Sequence, residues 1–100
     1  MLEAKCPYLD IWHEVPCYYM CQVQGQLEVC DRDWCDFIVW TEDGGWIKRI
    51  VRSPAYWAWM EPRLAEFWAY VVGDVEPPRM KRKQYPDDTG LVISTNYFLN

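Results

Sequence analysis

The chain has 100 residues, of which 51% are hydrophobic, and a formal net charge of −5 at pH 7. This length suits one domain with a modest core. Seven Trp and seven Tyr exclude a disordered chain, which would lack the apolar area that offsets the entropy of ordering. The negative charge excludes a broadly basic nucleic-acid-binding surface, because phosphate neutralisation needs clustered Lys and Arg; only local clusters could serve.

The sequence carries no signal for membranes or for secretion. No apolar run approaches the ~20 residues of a membrane-spanning helix, and the opening MLEAK lacks the basic and apolar segments of a signal peptide. Five cysteines without regular spacing do not indicate a disulfide framework. We therefore expect an intracellular protein, cytoplasmic or nuclear, that is not secreted and does not bind a membrane.

The first predicted element is a β-strand that Pro7 ends, because proline cannot donate to a β-ladder. Side chains alternate between the faces of a strand, so Glu3 and Lys5 share one face with their Cα atoms about 6.6 Å apart. A carboxylate there can ligate Mg²⁺, and an ammonium can stabilise hydroxide or the charge of a phosphorane. Glu-x-Lys is a common tripeptide, and a surface salt pair on an edge strand is the other interpretation.

A helix is predicted to begin near Val15. Its buried stripe should contain four residues with helical spacing: Met20, Val23, Leu27 and Cys30. A polar row lies beside this stripe, with Gln22 and Gln26 one turn apart and Tyr18 and Tyr19 a turn earlier. Ordinary solvent exposure is the alternative interpretation of its glutamines. Gly25 disfavours a helix, so we expect it to allow close approach of another backbone, either the sheet or a nucleic-acid strand.

Three residues around the start of this helix offer a metal-binding alternative. His13, Cys17 and Cys21 recur every fourth residue and could align on one helical face to bind zinc. No C-x-x-C pair completes a tetrahedral zinc site. Buried thiols that act as small apolar groups are the other interpretation.

A β-hairpin is predicted next. Trp34 to Thr41 is rich in aromatic and β-branched residues, which favours a strand covered on both faces. We expect Asp36 to make a structural hydrogen bond to a turn rather than to ligate a metal. Residues 42–45, Glu-Asp-Gly-Gly, form a turn, and the return arm from Trp46 to Arg52 is predicted to be an edge strand.

The predicted second helix begins at Ser53-Pro54, an N-cap hydroxyl followed by proline at the first helical position. Pro62 predicts either a bend near Trp59 or two short helices, and Gly73 suits the C-terminal cap. The apolar stripe of this helix is predicted to seal one face of the sheet. The alternative is that the stripe is an exposed docking surface. That stripe contains Trp57, Met60, Leu64, Phe67, Trp68 and Val71.

Residues 75–100 are predicted to be a linker or tail. Glu76-Pro77-Pro78 is typical of a stiff connector, and the basic run at residues 79–83 could contact phosphate, act as a nuclear signal or simply be a solvated linker. Residues 86–90 have the composition of a turn, and Leu91 to Ser94 could add a terminal strand.

Three motifs in order carry a resemblance to a known family. The strand motif E-x-K-C-P at residues 3–7, the helix motif Q-V-Q-G-Q-L at residues 22–27 and the strand motif W-C-D-F at residues 34–37 resemble the YqaJ viral recombinase family. Its members are exonucleases similar to lambda exonuclease, within the PD-(D/E)xK nuclease superfamily. The resemblance runs from Leu2 to about Val72.

The resemblance implies an α/β (α+β) fold with a partial restriction-endonuclease-like core of strand, helix, β-hairpin and helix, followed by a mostly irregular C-terminal tail. Residues 1–74 would be the C-terminal portion of a YqaJ-like nuclease core. Residues 75–100 would be the linker and tail with the basic run and the terminal strand.

The activity that the resemblance implies is metal-dependent 5′-to-3′ digestion of duplex DNA in a recombination system, beside a single-strand annealing protein. Glu3 and the backbone carbonyl of Ala4 would ligate Mg²⁺ or Mn²⁺. Lys5 would orient or deprotonate the attacking water, and Gln22 would hold the nucleophile or the phosphate. The DNA-binding residues would be Gln26, Lys48, Arg49 and Arg52, although cations on an edge strand also serve solubility.

The family also uses an aspartate from the strand before Glu-x-Lys, and no residue of this sequence takes that place by position. A single carboxylate binds Mg²⁺ weakly, because the ion retains its waters unless several oxygens converge. The chain could therefore be inactive by itself, and the alternative is a non-catalytic DNA- or protein-binding remnant of a nuclease domain. Ring-shaped trimers occur among relatives, so a homo-oligomer is a further expectation.

Overall fold

A computed structural model describes residues 1–7, 14–78 and 85–99. The elements in these ranges are β1 (Leu2–Lys5), α1 (Cys17–Val29), β2 (Trp34–Thr41), β3 (Gly44–Val51), α2 (Pro54–Val72) and β4 (Val92–Leu99). The strands form one sheet in the order β1-β2-β3-β4, in which β1 is parallel to β2 and the other pairs are antiparallel. The predicted α/β class is confirmed.

The hairpin of β2 and β3 is confirmed, but the predicted edge position of β3 is wrong. β4 pairs with β3 from Gly44 to Ile50, so β3 is a central strand. The mostly irregular tail is also wrong for residues 92–99, because the terminal strand continues to Leu99. Most of β4 is exposed, so its sequence shows little of the apolar alternation that marks a half-buried strand.

The hydrophobic core lies between α1 and one face of the sheet. Three of the four predicted stripe residues of α1, Met20, Val23 and Leu27, are buried as expected. Cys30 is not, because it is the exposed C-cap of the helix. The strands contribute a single face of buried side chains, which are Cys35, Phe37, Val39, Trp46 and Ile50.

The prediction that β2 is covered on both faces is wrong for the part of the chain that the structure describes. Asp36 and Ile38 are only partly buried, and Trp40 on the same face is 44% exposed. Antiparallel sheets often leave one face to solvent. The helix therefore sets the buried face, and the site described below lies on that face.

α2 is one continuous helix from Pro54 to Val72, so the two-helix alternative at Pro62 is wrong. The Ser53 hydroxyl accepts a hydrogen bond from the backbone N–H of Tyr56 at 3.1 Å, as expected of an N-cap. Proline at position 62 removes the donor to the Ala58 carbonyl, and Ala58 is exposed, so water can replace that donor. Neither helix in the described ranges combines the length and apolarity needed to cross a membrane.

The prediction that the apolar stripe of the second helix seals the sheet is wrong beyond the first turns of α2. Tyr56 and Met60 are buried, and Trp57 packs partly against the core. The later stripe residues are 48% to 64% exposed; they are Leu64, Phe67, Trp68 and Val71. α2 packs against α1 near its own start, and its 19 residues exceed the 13 residues of α1.

Gly25 lies where α1 and α2 meet. A Cβ added at Gly25 would approach the terminal methyl carbon of Met60 to 3.3 Å. Gly25 therefore makes room for a side chain of α2 and not for the backbone of the sheet. The alternative, close approach of a nucleic-acid strand, stays a prediction.

Gln24 is the buried polar side chain of the described core, with 1% exposure. Its Nε2 donates to the Val51 carbonyl at 2.9 Å, and its Oε1 accepts from the backbone N–H of Ser53 at 2.8 Å. One amide thus joins α1 to the connection between β3 and α2. No local pattern indicates this role, because a glutamine beside an apolar stripe is usually exposed.

Replacing Gln24 with Leu should lower the free energy of unfolding by about 1–3 kcal/mol, because the partly buried backbone C=O of Val51 and N–H of Ser53 lose this partner. Urea denaturation measures this loss. Gln26→Leu is the matched control: it removes one long hydrogen bond to Glu3, at 3.4 Å, together with an Oε1 that has no hydrogen-bond partner among the described residues. It should cost less than about 1 kcal/mol. Equal losses in the two variants would contradict the assigned role of Gln24.

Candidate functional site

Glu3 and Lys5 lie on the sheet face that α1 covers. Their register partners on β2 are Phe37 and Val39, which are both buried beneath α1. The Glu3 Oε1 and Lys5 Nζ atoms are 3.0 Å apart, and the two side chains are 20% and 21% exposed. The pair is therefore sheltered by the helix and still open to solvent on one side.

Gln22 of α1 bridges the pair. Its Nε2 donates to Glu3 Oε1 at 3.0 Å, and its Oε1 accepts from Lys5 Nζ at 3.3 Å. Glu3, Lys5 and Gln22, which the resemblance assigns to one active site, thus lie within hydrogen-bond distance of one another. Their catalytic roles stay predictions.

Gln26 is one turn further along α1 and also faces Glu3. Its Nε2 donates to Glu3 Oε2 at 3.4 Å, so each oxygen of the carboxylate has an amide donor. The predicted contact of Gln26 with DNA stays a prediction. In the structure, Gln26 instead contacts Glu3 and orients its carboxylate.

Tyr19 is a site residue to which the sequence analysis assigned no function. Lys5 Nζ lies 4.2 Å from the centroid of the Tyr19 ring, a distance at which a cation is attracted to the ring face. The neighbouring ring of Tyr18 is 4.6 Å away and 55% exposed. Tyr19 and Gln22, three residues apart on the helix, belong to the predicted polar row, and both contact Lys5.

The environment of Glu3 favours its charged form. Partial burial raises the pKa of Glu3, but the hydrogen bonds from Lys5, Gln26 and Gln22 and the positive charge of Lys5 together outweigh burial and hold it below its ordinary value. Glu3 is therefore a carboxylate at neutral pH, the form that binds a cation.

The pKa of Glu3 should rise when Lys5 is replaced by Met, because burial would remain while a donor and a positive charge are lost. With a lowered folded-state pKa, Glu3 contributes stability that is present above its unfolded pKa, about 4.3, and is lost as the pH falls through the folded pKa. Lys5→Met should reduce that pH dependence. An NMR titration of the Glu3 side-chain carboxyl measures the shift, and Arg63→Met on α2 is the control that should leave it unchanged. An unaltered Glu3 titration in Lys5→Met would contradict the observed pairing.

Asp36 does not bond to a turn as predicted. It pairs across the hairpin with its register partner Arg49. The Arg49 Nε donates to Asp36 Oδ1 at 2.8 Å, and the Arg49 Nη2 donates to Asp36 Oδ2 at 3.0 Å. The guanidinium of Arg49 also lies 3.8 Å from the centroid of the Trp34 ring. Asp36 is on the sheet face opposite Glu3.

The three predicted DNA-binding cations of β3 and its end are not gathered on one surface. Lys48 lies on the Glu3 face and above the Trp46 ring, at 4.8 Å from its centroid. Arg49 is on the opposite face. Arg52 bonds to Glu28 at 2.9 Å and to Asp31 at 2.8 Å, which ties the end of α1 to the end of β3. DNA contacts by these residues stay predictions, and the basic run at 79–83 lies outside the described residues.

The site supplies few metal ligands within the described ranges. No group of three or more His, Cys, Asp or Glu side chains there could hold a metal ion. For the zinc alternative, His13 lies outside the described residues, Cys17 is exposed, and the Cys21 thiol is 3.1 Å from the Tyr56 hydroxyl.

The Ala4 carbonyl is directed away from β2. The backbone N–H of Asp36 donates to the Met1 carbonyl, and in a parallel ladder alternate residues face the partner strand. Ala4 therefore presents its carbonyl to the outer edge of the described sheet. Glu3 and this carbonyl suit a hard cation that keeps several of its waters, and they do not form a complete cage.

No protein-family model, no curated protein and no solved structure matches this chain. The geometry of the residues around Glu3 is therefore the basis for inferring a function.

Proposed function

We propose that this chain carries part of the active site of a metal-dependent DNA exonuclease, with a restriction-endonuclease-like core as the YqaJ resemblance implies. The observation that supports this proposal is the convergence of Glu3, Lys5 and Gln22, whose polar atoms lie 3.0 to 3.3 Å apart. Phosphodiester hydrolysis needs an activated water, a cation near the pentavalent transition state and a positioned phosphate. An acid, an amine and an amide at one point can meet these needs.

Each residue has a role that follows from its contacts. Glu3, with the Ala4 carbonyl, would hold Mg²⁺ or Mn²⁺, and the bound ion would lower the pKa of its water and neutralise phosphate charge. The Lys5 ammonium would stabilise the charge that develops on the scissile phosphate. Gln22 holds both side chains at once and so sets their separation, while Gln26 orients the second carboxylate oxygen.

Two features limit what this site can do by itself. The described residues bring a single carboxylate to it, and one carboxylate binds Mg²⁺ weakly. The net charge of −5 also opposes DNA binding, which would be strongly salt-dependent. The proposal therefore requires further oxygen ligands, from the substrate phosphate or from groups outside the described residues, and it retains the annealing protein as a partner.

Incubation of the purified chain with linear duplex DNA tests the proposal. With Mg²⁺ or Mn²⁺ and low salt, we expect nucleotides to be released from 5′ ends, and a chelator should stop the release. DNA binding without cleavage would instead support the non-catalytic module. If the chain neither binds nor cleaves DNA with either metal, the nuclease proposal is overturned.

A further inference from the structure

The second half of α2 presents an uncovered apolar face. We call this face the α2 stripe; it consists of Leu64, Phe67, Trp68, Val71 and Val72. These side chains are 48% to 67% exposed. Their spacing of three and four residues places them on one side of the helix.

Nothing in the described residues supports this part of the helix from either side. From Glu61 to Val72 the side chains are exposed, apart from the half-buried Tyr70. A short helix without tertiary packing is marginal in water, and a contiguous exposed apolar patch on a helix marks an interaction site. The α2 stripe is thus a surface that another helix can cover, in the groove-type recognition of amphipathic helices.

The charges around the α2 stripe indicate what covers it. Glu61 lies one turn before Leu64, and Asp74 and Glu76 follow the end of the helix. The last turn contains no basic residue, so the negative end of the helix dipole adds to these carboxylates. Among the described residues, both ends of the α2 stripe are therefore negative.

The nearby cation Arg63 does not offset these charges at the α2 stripe. It donates to the Trp59 carbonyl at 2.6 Å, and its guanidinium lies 4.3 Å from the centroid of the Trp59 ring. Arg63 is thus held against Trp59, one turn closer to the start of the helix.

A second copy of the chain fits this charge pattern poorly. Two parallel α2 stripes would bring Glu61 against Glu61, and two antiparallel ones would bring Glu61 against Asp74 and Glu76. Like charges placed together across an interface oppose association. We propose that the α2 stripe binds an amphipathic helix of a different protein, with apolar residues at heptad spacing and Lys or Arg near both ends. This inference does not depend on the nuclease proposal.

Two synthetic helical peptides test the inference. Both carry Leu at heptad spacing, and their ends carry either Lys or Glu. Fluorescence anisotropy of the labelled peptides should show binding of the Lys-ended peptide at least about tenfold tighter than binding of the Glu-ended one. Phe67→Ser with Trp68→Ser should abolish binding, whereas Ala69→Ser, which lies outside the α2 stripe on the same helix, should not. Thermal unfolding of each variant checks that the fold is retained.

A charge exchange separates the α2 stripe from the general acidity of the chain. Glu61→Lys with Asp74→Lys should reverse the preference between the peptides. Glu42→Lys with Asp43→Lys makes the same change in net charge at the turn between β2 and β3 and should not reverse it. Equal binding of both peptides would overturn the inference. So would a dimer in sedimentation that Phe67→Ser with Trp68→Ser dissociates, since the occupant would then be a second copy.

Discussion

Replacing Glu3 with Gln is expected to lower metal-dependent DNA cleavage by at least about a hundredfold, the effect typical of losing one group that stabilises transition-state charge. The amide keeps the size of the side chain but loses the negative charge that both a divalent cation and Lys5 need. Initial rates of nucleotide release from linear duplex DNA, at saturating Mg²⁺ and in excess Mn²⁺, measure the loss.

Lys5→Met should cause a loss of similar size, and Lys5→Arg should restore part of the rate because it keeps the charge without the compact ammonium. The matched control is Glu42→Gln, an exposed carboxylate at the turn between β2 and β3, which should cleave like the unaltered chain. Glu3→Gln that cleaves at the unaltered rate would show that any nuclease activity arises elsewhere.

Phe37→Ala is expected to lower the free energy of unfolding by about 3–5 kcal/mol, through lost apolar burial and the cavity left beneath α1. Phe37 is fully buried, and its ring lies 6.0 Å from that of Trp46 and 6.1 Å from that of Tyr19. Typical domains have only about 5–15 kcal/mol of stability in total. The variant should therefore unfold at a much lower urea concentration.

Phe67→Ala is the matched control for Phe37→Ala, since it removes the same side chain from a position that is 56% exposed. We expect its effect to be below about 1 kcal/mol. Similar losses in both variants would mean that the α2 stripe is buried in solution. That result would contradict the exposed helix as well as the docking inference.

The elements that the sequence predicted well are those with local signals. Strand alternation placed Glu3 and Lys5 on one face. The family resemblance, and not the helical spacing, assigned Gln22 to the same site. The Asp36–Arg49 pair could also have been derived. A two-residue turn at Glu42–Asp43 pairs Thr41 with Gly44, and counting back along the hairpin pairs Asp36 with Arg49.

The features that were missed depend on contacts between distant segments. β4 joins the sheet through backbone bonds to β3, and its exposed side chains carry no pattern that reveals this pairing. The apolar stripe of α2 shows which side of the helix is hydrophobic but cannot show how far the underlying protein extends. Gln24 and Gln26 have the same chemistry and lie on one helix, and only the position of β3 makes the first of them buried.

β1 has a backbone partner on one side only, and its four residues make it the shortest strand of the described sheet. The contacts of Gln22 and Gln26 with Glu3 therefore act as a side-chain tether that holds this strand to the helix. Local fraying of β1 would take the acid and the amine away from α1 while the core beneath Phe37 stayed intact. Hydrogen exchange should then be faster in β1 than in β2, and a ligand that bridges Glu3 and α1 should slow it.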